Sequence, residues 1–306
     1  MPGLQCKSLL HEEAGLDHPS SLPHIVSSFT PIQARTTEQK TPQLIPVQRR
    51  GLLLDFLRQR GAASVNDLAA AIGASLATVR RDLEQLEGEG YLSRTRGGAL
   101  VQETTATTFE PDSDIAAEVA RAEKAAIARA AAATLAAGES VIFDSGSTVH
   151  MAALAAIEAG LALTAVTNDL RIGLSLSKAA QMHLIVLGGM VRRGSPTMVG
   201  DPARGLLADL RADVAFIGTH AISEGVLSDT SMEIASMKRS MIAAARRVVL
   251  LADSTKFRTA AFFKICDLSM VHEVYTDSGV RAEHLAFLRE RGVRTTVVEV
   301  APPRAA

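Results

Sequence analysis

Apolar residues recur at two different spacings along this 306-residue chain, and the change of spacing divides it into two parts. Between residues 47 and 90 they recur every three or four positions, as Leu53, Phe56 and Leu57 do, which predicts three short amphipathic helices. From residue 115 onward, short apolar runs alternate with Ala-rich stretches of helical spacing. This alternation is typical of βαβ units and predicts a largely parallel sheet covered by helices on both faces.

Seven apolar runs have the length of buried strands, and helical spacers separate most of them. The runs are SVIFD (140–144), LTAVTN (163–168), HLIVLGG (183–189), VAFIGTH (214–220), RVVLLAD (247–253), EVYTD (273–277) and RTTVVEV (294–300). We therefore expect an α/β fold, with a small amino-terminal domain over 47–101 and a larger sheet domain over 115–306.

The three amino-terminal helices have recognisable ends. The first is expected over about 47–60, and Gly61 follows it where a helix-ending glycine belongs. Ser64 opens the second helix and Ser75 the third, both as N-caps. A turn containing Gly73 separates these two helices. Two helices joined by a short glycine-containing turn have the layout of a helix-turn-helix.

The third helix has an apolar face and an opposite face suited to DNA. Leu76, Val79, Leu83 and Leu86 cluster on the apolar side. The outward side chains are Thr78, Arg81 and Gln85, whose groups read base edges in a major groove. Arg80 lies on the flank, within reach of a phosphate. We expect Asp82 to brace an arginine.

A hairpin is predicted directly after this helix, in residues 90–101. Alternating residues surround Gly97 and Gly98, and a hairpin at this place is a wing. Arg94 or Arg96 would enter an adjacent minor groove, where arginine is favoured. The alternative is a small helical bundle with surface arginines, which charge alone does not exclude, because 47–101 holds eight arginines against six acids.

The composition of the chain sets the boundaries of the leader and the linker, and it excludes several classes of protein. Residues 1–46 are rich in Pro, Ser, Thr, Gln and His without a period, which indicates a disordered leader, and the polar segment 102–114 reads as a linker. The net charge of −1 excludes a global basic field, so an argument for DNA must be local. The chain has two distant cysteines, no apolar run of membrane-spanning length and no signal-peptide pattern, so we expect a cytoplasmic protein.

The sequence around residues 144–148 predicts an anion site. Ser145, Gly146, Ser147 and Thr148 follow an apolar strand and open a helix, so they offer N–H groups and hydroxyls at a helix amino terminus. The alternative is a capped helix without a ligand. Asp144 either hydrogen-bonds a sugar hydroxyl or holds the loop.

Further candidates for the same sheet edge follow other predicted strands. They are Asn168, Gly188, Gly189, Arg192, Lys238 and Lys256. Lys256 is the strongest of the cations, because it follows a strand directly, whereas a single surface cation is usually solvated. His150, His183 and His220 lack metal-type spacing and are interpreted as structural, and we expect neither a metal nor a cofactor.

The segment SLATVRRDLEQLEGEGYLSRTRGGA resembles the amino-terminal domain of the DeoR family of bacterial transcriptional regulators. Similar motifs continue in order as FDSGST (143–148), VTND (166–169), LGGMVRR (187–193), MKRSMI (237–242) and ADSTKF (252–257). The resemblance implies a winged helix-turn-helix joined to a Rossmann-like, phosphosugar-sensing domain similar in fold to ribose-5-phosphate isomerase. It also implies a repressor of a carbohydrate operon, bound to double-stranded operator DNA as a homo-oligomer, dimer or tetramer, and released by a phosphorylated sugar.

Two rival functions stay open on the sequence. The first is a phosphosugar isomerase with an accessory DNA-binding domain. The acidic segment of the isomerases has no counterpart in IGTHAISEGVL, which favours a sensor without turnover. The second is a scaffold whose larger domain only oligomerises and binds no ligand.

Overall fold

The computed structural model describes residues 44–101 and 107–300. Residues 1–43 of the predicted leader, residues 102–106 of the predicted linker and residues 301–306 lie outside the described part.

The amino-terminal part consists of three helices and a three-stranded sheet. Its elements are α1 (Pro46–Arg60), β1 (Ala62–Ser64), α2 (Val65–Ile72), α3 (Leu76–Gly88), β2 (Leu92–Arg94) and β3 (Gly98–Val101). Strand β3 lies in the middle of the sheet and pairs antiparallel with both β1 and β2. The predicted winged helix-turn-helix is confirmed.

The helix ends form as their residues predict. The Ser64 hydroxyl accepts the N–H of Asp67 at 3.1 Å, and the Ser75 hydroxyl accepts that of Thr78 at 3.2 Å. Gly73 ends α2 in the left-handed region, with φ of 63°. These contacts satisfy backbone groups that a helix leaves unpaired at its ends.

The apolar face of α3 forms the core of this part, with one exception. The buried side chains are Leu53, Leu57, Val79, Leu83 and Leu86. Leu76 is 41% exposed, so the expectation that it joins them is wrong. The buried face begins at Val79, one turn into the helix, because Leu76 belongs to the first turn.

The larger part alternates strands and helices. Its elements are α4 (Ser113–Glu118), α5 (Arg121–Ala132), β4 (Ser140–Phe143), α6 (Ser147–Glu158), β5 (Leu163–Thr167), α7 (Leu170–Leu176), β6 (Met182–Val186), β7 (Met190–Val191), β8 (Met198–Val199), α8 (Asp201–Asp209), β9 (Ala212–Ile217), β10 (Ala221–Ser223), β11 (Val226–Asp229), α9 (Met232–Ala243), β12 (Ala245–Leu251), β13 (Phe263–Asp267), β14 (Glu273–Asp277), α10 (Ala282–Glu290) and β15 (Arg294–Val298). Short 3₁₀ turns cover Ser254–Lys256 and Leu268–Met270.

Seven of these strands form one parallel sheet in the order β15-β14-β12-β9-β4-β5-β6. They are the seven predicted runs, so the mostly parallel α/β class is confirmed. Helices α5, α6 and α7 pack on one face, and α8, α9 and α10 on the other. A small antiparallel sheet β10-β11-β13 and the hairpin β7-β8 are additions that the sequence analysis did not predict.

The centre of the sheet is a topological switch point. From β4 the chain moves outward through β5 and β6, and from β9 it moves the other way through β12 and β14. Crevices at the carboxyl ends of strands flanking such a point are where open α/β sheets bind ligands. The loops after β4 and β9 therefore mark the expected ligand side of the domain.

Helix α4 connects the two parts. A Cβ on Gly51 of α1 would lie 2.6 Å from Cβ of Glu118, so only glycine permits this approach. Both carboxylate oxygens of Asp55 accept the N–H of Ala120, at 3.1 and 3.0 Å. Burial raises the pKa of Asp55 to about 6. The junction is thus a packed contact of α1 with the end of α4 and with Ala120, the residue before α5.

Candidate DNA-binding surface and effector cavity

The outward side of α3 carries exposed cationic and amide groups. Arg80, Arg81 and Gln85 are all exposed, while Thr78 is half-buried beside its cap partner Ser75. Neither Arg80 nor Arg81 forms an ion pair with a described residue, whereas the Gln85 amide donates to Glu89 Oε1 at 2.8 Å. The two arginines are therefore available to a partner as they stand.

Asp82 holds this helix against α1. Its buried carboxylate accepts from Arg49 Nε at 2.5 Å and from Arg49 Nη2 at 3.0 Å. The hydrogen bond with Asp82 raises the pKa of Arg49. The arginine that Asp82 braces is therefore in α1, which leaves Arg80 and Arg81 of its own helix unpaired.

The wing presents Arg94 and Arg96 on its exposed side. The backbone N–H of Arg94 donates to Glu87 Oε1 at 2.8 Å, which ties the wing to the end of α3. At the turn, a Cβ on Gly98 would lie 2.1 Å from the Ala63 carbonyl oxygen, whereas Gly97 faces open space. Gly98 therefore allows β3 to pass close to β1.

A cavity of about 610 Å³ opens at the carboxyl ends of β4 and β9. The predicted residues on its wall are Ser145, Gly146, Ser147, Thr148, Arg192, Lys238 and Lys256. Arg193, which follows Arg192 in the motif LGGMVRR, lies on the wall too. The wall also includes charged residues that the sequence did not indicate, namely Glu89, Glu110, Asp112, Lys124, Asp169, Arg171 and Asp229. His220, which the sequence analysis treated as structural, lies on the wall as well.

The loop after β4 shapes the floor of this cavity. Gly146 caps α6 with φ of 132°, a conformation that favours glycine, and leaves the first N–H groups of the helix facing the loop. Asp144 lies beneath, 1% exposed, and accepts from the Gly218 N–H at 2.9 Å and from Lys238 Nζ. The Lys238 ammonium also donates to the Gly218 carbonyl at 3.1 Å. Asp144 and Lys238 thus join the loops after β4 and β9.

Two further lysines reach the cavity, Lys124 from a buried position and Lys256 from a half-buried one. Burial lowers the pKa of Lys256 to about 7, against the opposing charge of Asp253. Burial disfavours ionisation of Asp253, but Lys256 and Lys124 outweigh it and hold the Asp253 pKa below its usual range. Burial also lowers the pKa of Lys124, whose ammonium donates to the Ala116 carbonyl. An incoming anion would therefore favour protonation of Lys256.

The hairpin β7-β8 carries Arg192 to the cavity mouth. Gly189 has φ of 139°, and a Cβ there would lie 2.4 Å from the Val199 carbonyl oxygen, so glycine lets the two strands close. Gly188 and Gly189 are exposed and do not line the cavity. Asn168 is fully buried and donates to the Met198 carbonyl at 3.0 Å. These three residues thus lie off the cavity wall, and Gly189 and Asn168 support the hairpin instead.

His220 is neutral at physiological pH. Burial, and then the charge of Arg258, lower its pKa to about 3. Arg258 Nη2 lies 2.8 Å from His220 Nε2 and also donates to the His220 carbonyl at 3.0 Å. The imidazole thus supplies shape and a neutral polar surface to the cavity.

Some of the missed residues left a signal in the sequence and others did not. Arg171 follows directly on the strand that ends at Thr167, so the logic that selected Lys256 applies to it equally. Lys124 lies inside an Ala-rich helix, and Glu110 lies in the predicted linker. Nothing local distinguishes those two, because their place at the cavity depends on how α4 and α5 dock.

Both parts of the chain match domains of one known protein family. Residues 49–105 match the DeoR-like helix-turn-helix domain, and residues 119–278 match the DeoR C terminal sensor domain. The chain belongs to the DeoR family. It is therefore a helix-turn-helix transcriptional regulator with a sensor domain, and the surface of α3 and the cavity fall in the two matched regions.

Individual relatives of this DeoR-family protein align over most of its length. It is 33% identical to the putative aga operon transcriptional repressor of Escherichia coli O157:H7, over 82% of this chain and 93% of that protein. It is 32% identical to the transcriptional repressor CsqR of Escherichia coli K12, over 75% and 87%. A solved structure, ribose 5 phosphate isomerase A from Neisseria gonorrhoeae, superposes with a TM-score of 0.35 at 15% identity, covering 47% of this chain and 55% of that one.

No helix in the described ranges 44–101 and 107–300 has both the length and the apolar character needed to cross a membrane.

Proposed function

We propose that this DeoR-family regulator represses a carbohydrate operon and that a phosphorylated sugar, bound in the cavity, relieves the repression. The observation that carries the proposal is the composition of the cavity wall, which combines the open amino terminus of α6 with Lys256, Arg171 and Arg192. Phosphate groups bind to such sets of N–H groups and cations. The hydroxyls of Ser145, Ser147 and Thr148 would hydrogen-bond the sugar.

The relatives support a repressor over the two rival functions. Both relatives described above are named as transcriptional repressors, and one of them as the repressor of the aga operon. We carry the repressor role over to this chain by that similarity. The similarity to these repressors supports neither the phosphosugar isomerase nor the ligand-free scaffold.

For DNA we assign the outward side of α3 and the wing. Thr78, Arg81 and Gln85 would read base edges in the major groove, and Arg80 would hold a phosphate. Ser75 fixes the start of the helix. Arg94 or Arg96 would enter the adjacent minor groove.

We further propose that the protein acts in the cytoplasm as a homo-oligomer, dimer or tetramer. Two recognition helices of one dimer would contact half-sites about 34 Å apart, one turn of DNA. The effector would bind the DNA-incompetent arrangement more tightly and so shift the population toward it.

The experiment is fluorescence anisotropy of the promoter DNA beside its own gene, titrated with aldose and ketose phosphates and with the unphosphorylated sugars. We expect Arg81→Ala to weaken DNA binding at least about tenfold, the cost of one base contact. Arg246, an exposed arginine of the sheet domain, supplies the matched control, Arg246→Ala. We expect one sugar phosphate, but not its parent sugar, to release the DNA.

Thr148→Val tests the cavity in the same assay. It removes the hydroxyl of a buried residue with little change of volume, and we expect about tenfold more effector to be needed for release. Release by no phosphorylated sugar would contradict the sensor assignment. Unchanged binding by Arg81→Ala would contradict the assignment of α3.

A further inference from the structure

Two acids of the segment 107–118 occupy arginines at the cavity mouth. Glu110 Oε1 and Oε2 accept from Arg192 Nη1 and Nη2 at 2.5 Å each, a bidentate pair. Asp114 Oδ1 lies 3.4 Å from Arg171 Nη1. Among the described residues, neither guanidinium pairs with an acid of the sheet domain itself. The cationic rim of the cavity is therefore neutralised by the connecting segment.

The rim also contains a buried donor without an acceptor. Nε of Arg171 is buried and has no hydrogen-bond partner among the described residues. Leaving such a group unsatisfied is unfavourable, so an anionic ligand at the rim would gain by supplying an acceptor. This feature points to a ligand at the same place where the acids now lie.

The same segment is attached to the DNA-binding domain. The Phe109 ring packs edge-on against Tyr91 with centroids 5.4 Å apart, and the Asp112 N–H donates to Tyr91 Oη at 2.6 Å. Tyr91 is buried immediately before β2 of the wing. Glu110 thus stands between two residues that contact the wing domain, so a change in its pairing with Arg192 acts directly beside those contacts.

We propose that Glu110 is an internal competitor for the anionic group of the effector. A carboxylate held by both ends of a guanidinium reproduces the geometry in which arginine binds phosphate. A phosphate carries more charge and one more oxygen, so it displaces Glu110 from Arg192 and detaches the segment 107–118 from the cavity mouth. The detached segment no longer positions the wing. This inference rests on the proposed function, because it assumes that a phosphorylated ligand uses the cavity.

The test compares Glu110→Gln with wild type in the full chain. Inorganic phosphate is titrated calorimetrically, and DNA release is then measured with the sugar phosphate that acts on the wild type. Removing the competing charge should tighten phosphate binding about fivefold and lower the effector concentration for half-release. Effector-free Glu110→Gln should also bind DNA more weakly, since Glu110 no longer holds the segment.

Glu118→Gln is the matched control. It removes the same charge from the same segment, but Glu118 pairs with Arg121, and neither residue lines the cavity. We expect it to leave phosphate binding unchanged. Glu110→Asp is a second variant that keeps the charge and shortens the reach, so it should shift phosphate affinity in the same direction as Glu110→Gln.

The outcomes separate this inference from the proposed function. If wild type responds to a sugar phosphate while Glu110→Gln binds phosphate within twofold of wild type, the competition is overturned and the sensor function stands. If no phosphorylated compound binds wild type, the proposed function fails, and the competition fails with it. An equal gain in Glu118→Gln would show a general charge effect and would also overturn the competition.

Discussion

At the scale of single residues, the site depends on where charges lie relative to solvent. Arg80 and Arg81 are exposed and form no ion pair within the described part of the chain, which suits contact with a polyanion. Lys238 is 3% exposed and paired with Asp144, so it joins two loops beneath the cavity. The pKa of Lys256 is lowered by burial and raised by the charge of Asp253, and burial has the larger effect. Cationic side chains thus have three different uses, which their positions decide.

Lys256 gives a prediction about protons. With a pKa of about 7, it is largely neutral at pH 8, and a bound phosphate should raise its pKa and charge it. Binding should then take up about half a proton or more at pH 8, and the contribution of Lys256 to affinity should fall as pH rises above 7. Calorimetry of sugar phosphate binding in buffers of different ionisation enthalpy measures this uptake.

Lys256→Arg is the matched variant, because arginine stays charged throughout this range. We expect it to bind with most of the proton uptake abolished. Lys124 also has a lowered pKa, but it is 3% exposed and its ammonium donates to a carbonyl. Its contribution to the proton uptake should therefore be small. Equal uptake by variant and wild type would remove Lys256 from the phosphate site.

The sequence predicted some of these residues and not others, for a physical reason. Gly146 and Lys256 follow strands directly, so their place at the sheet edge follows from the parallel topology alone. Glu110 and Lys124 reach the cavity only because α4 and α5 dock above it, and no local spacing encodes docking. Gly188, Gly189 and Asn168 were selected by the same edge rule, yet they lie off the cavity wall, where Gly189 and Asn168 support the hairpin that carries Arg192.

At the scale of elements, the pattern of apolar residues was sufficient to predict the long strands. All seven parallel strands were predicted, because buried strands read as continuous apolar runs. The strands β7 and β8 have two residues each, and β10 has three, which is too short to show a period. Strands β11 and β13 pair although they are distant in sequence, as Val226 does with Asp267. That information is absent from any local window.

The wing gives a prediction at this scale. Gly98→Ala would place a Cβ against the backbone carbonyl of Ala63, which cannot move away without disturbing β1. We expect a loss of about 1–3 kcal/mol in the free energy of unfolding, measured by urea titration, with weaker DNA binding. Gly97→Ala is the control, because a Cβ there meets open space. Equal stability of the two variants would show that the wing tolerates a wider gap between β1 and β3.

At the scale of the whole molecule, the segment 107–118 joins what would be two independent domains. It contacts Tyr91 of the wing domain, Arg192 of the hairpin and, through α4, Gly51 of α1. Coupling between distant sites requires an element that both ligands bias. This segment is positioned to be that element, because it contacts the helix-turn-helix domain at Tyr91 and the cavity mouth at Arg192.

The measurement that tests the central claim most directly is the affinity of wild type for its releasing sugar phosphate, with and without saturating operator DNA. Linkage requires each ligand to weaken the other by the same factor. We predict that DNA raises the dissociation constant of the sugar phosphate by the factor by which the sugar phosphate raises that of DNA. A sugar phosphate that binds equally well to free and DNA-bound protein would contradict the account.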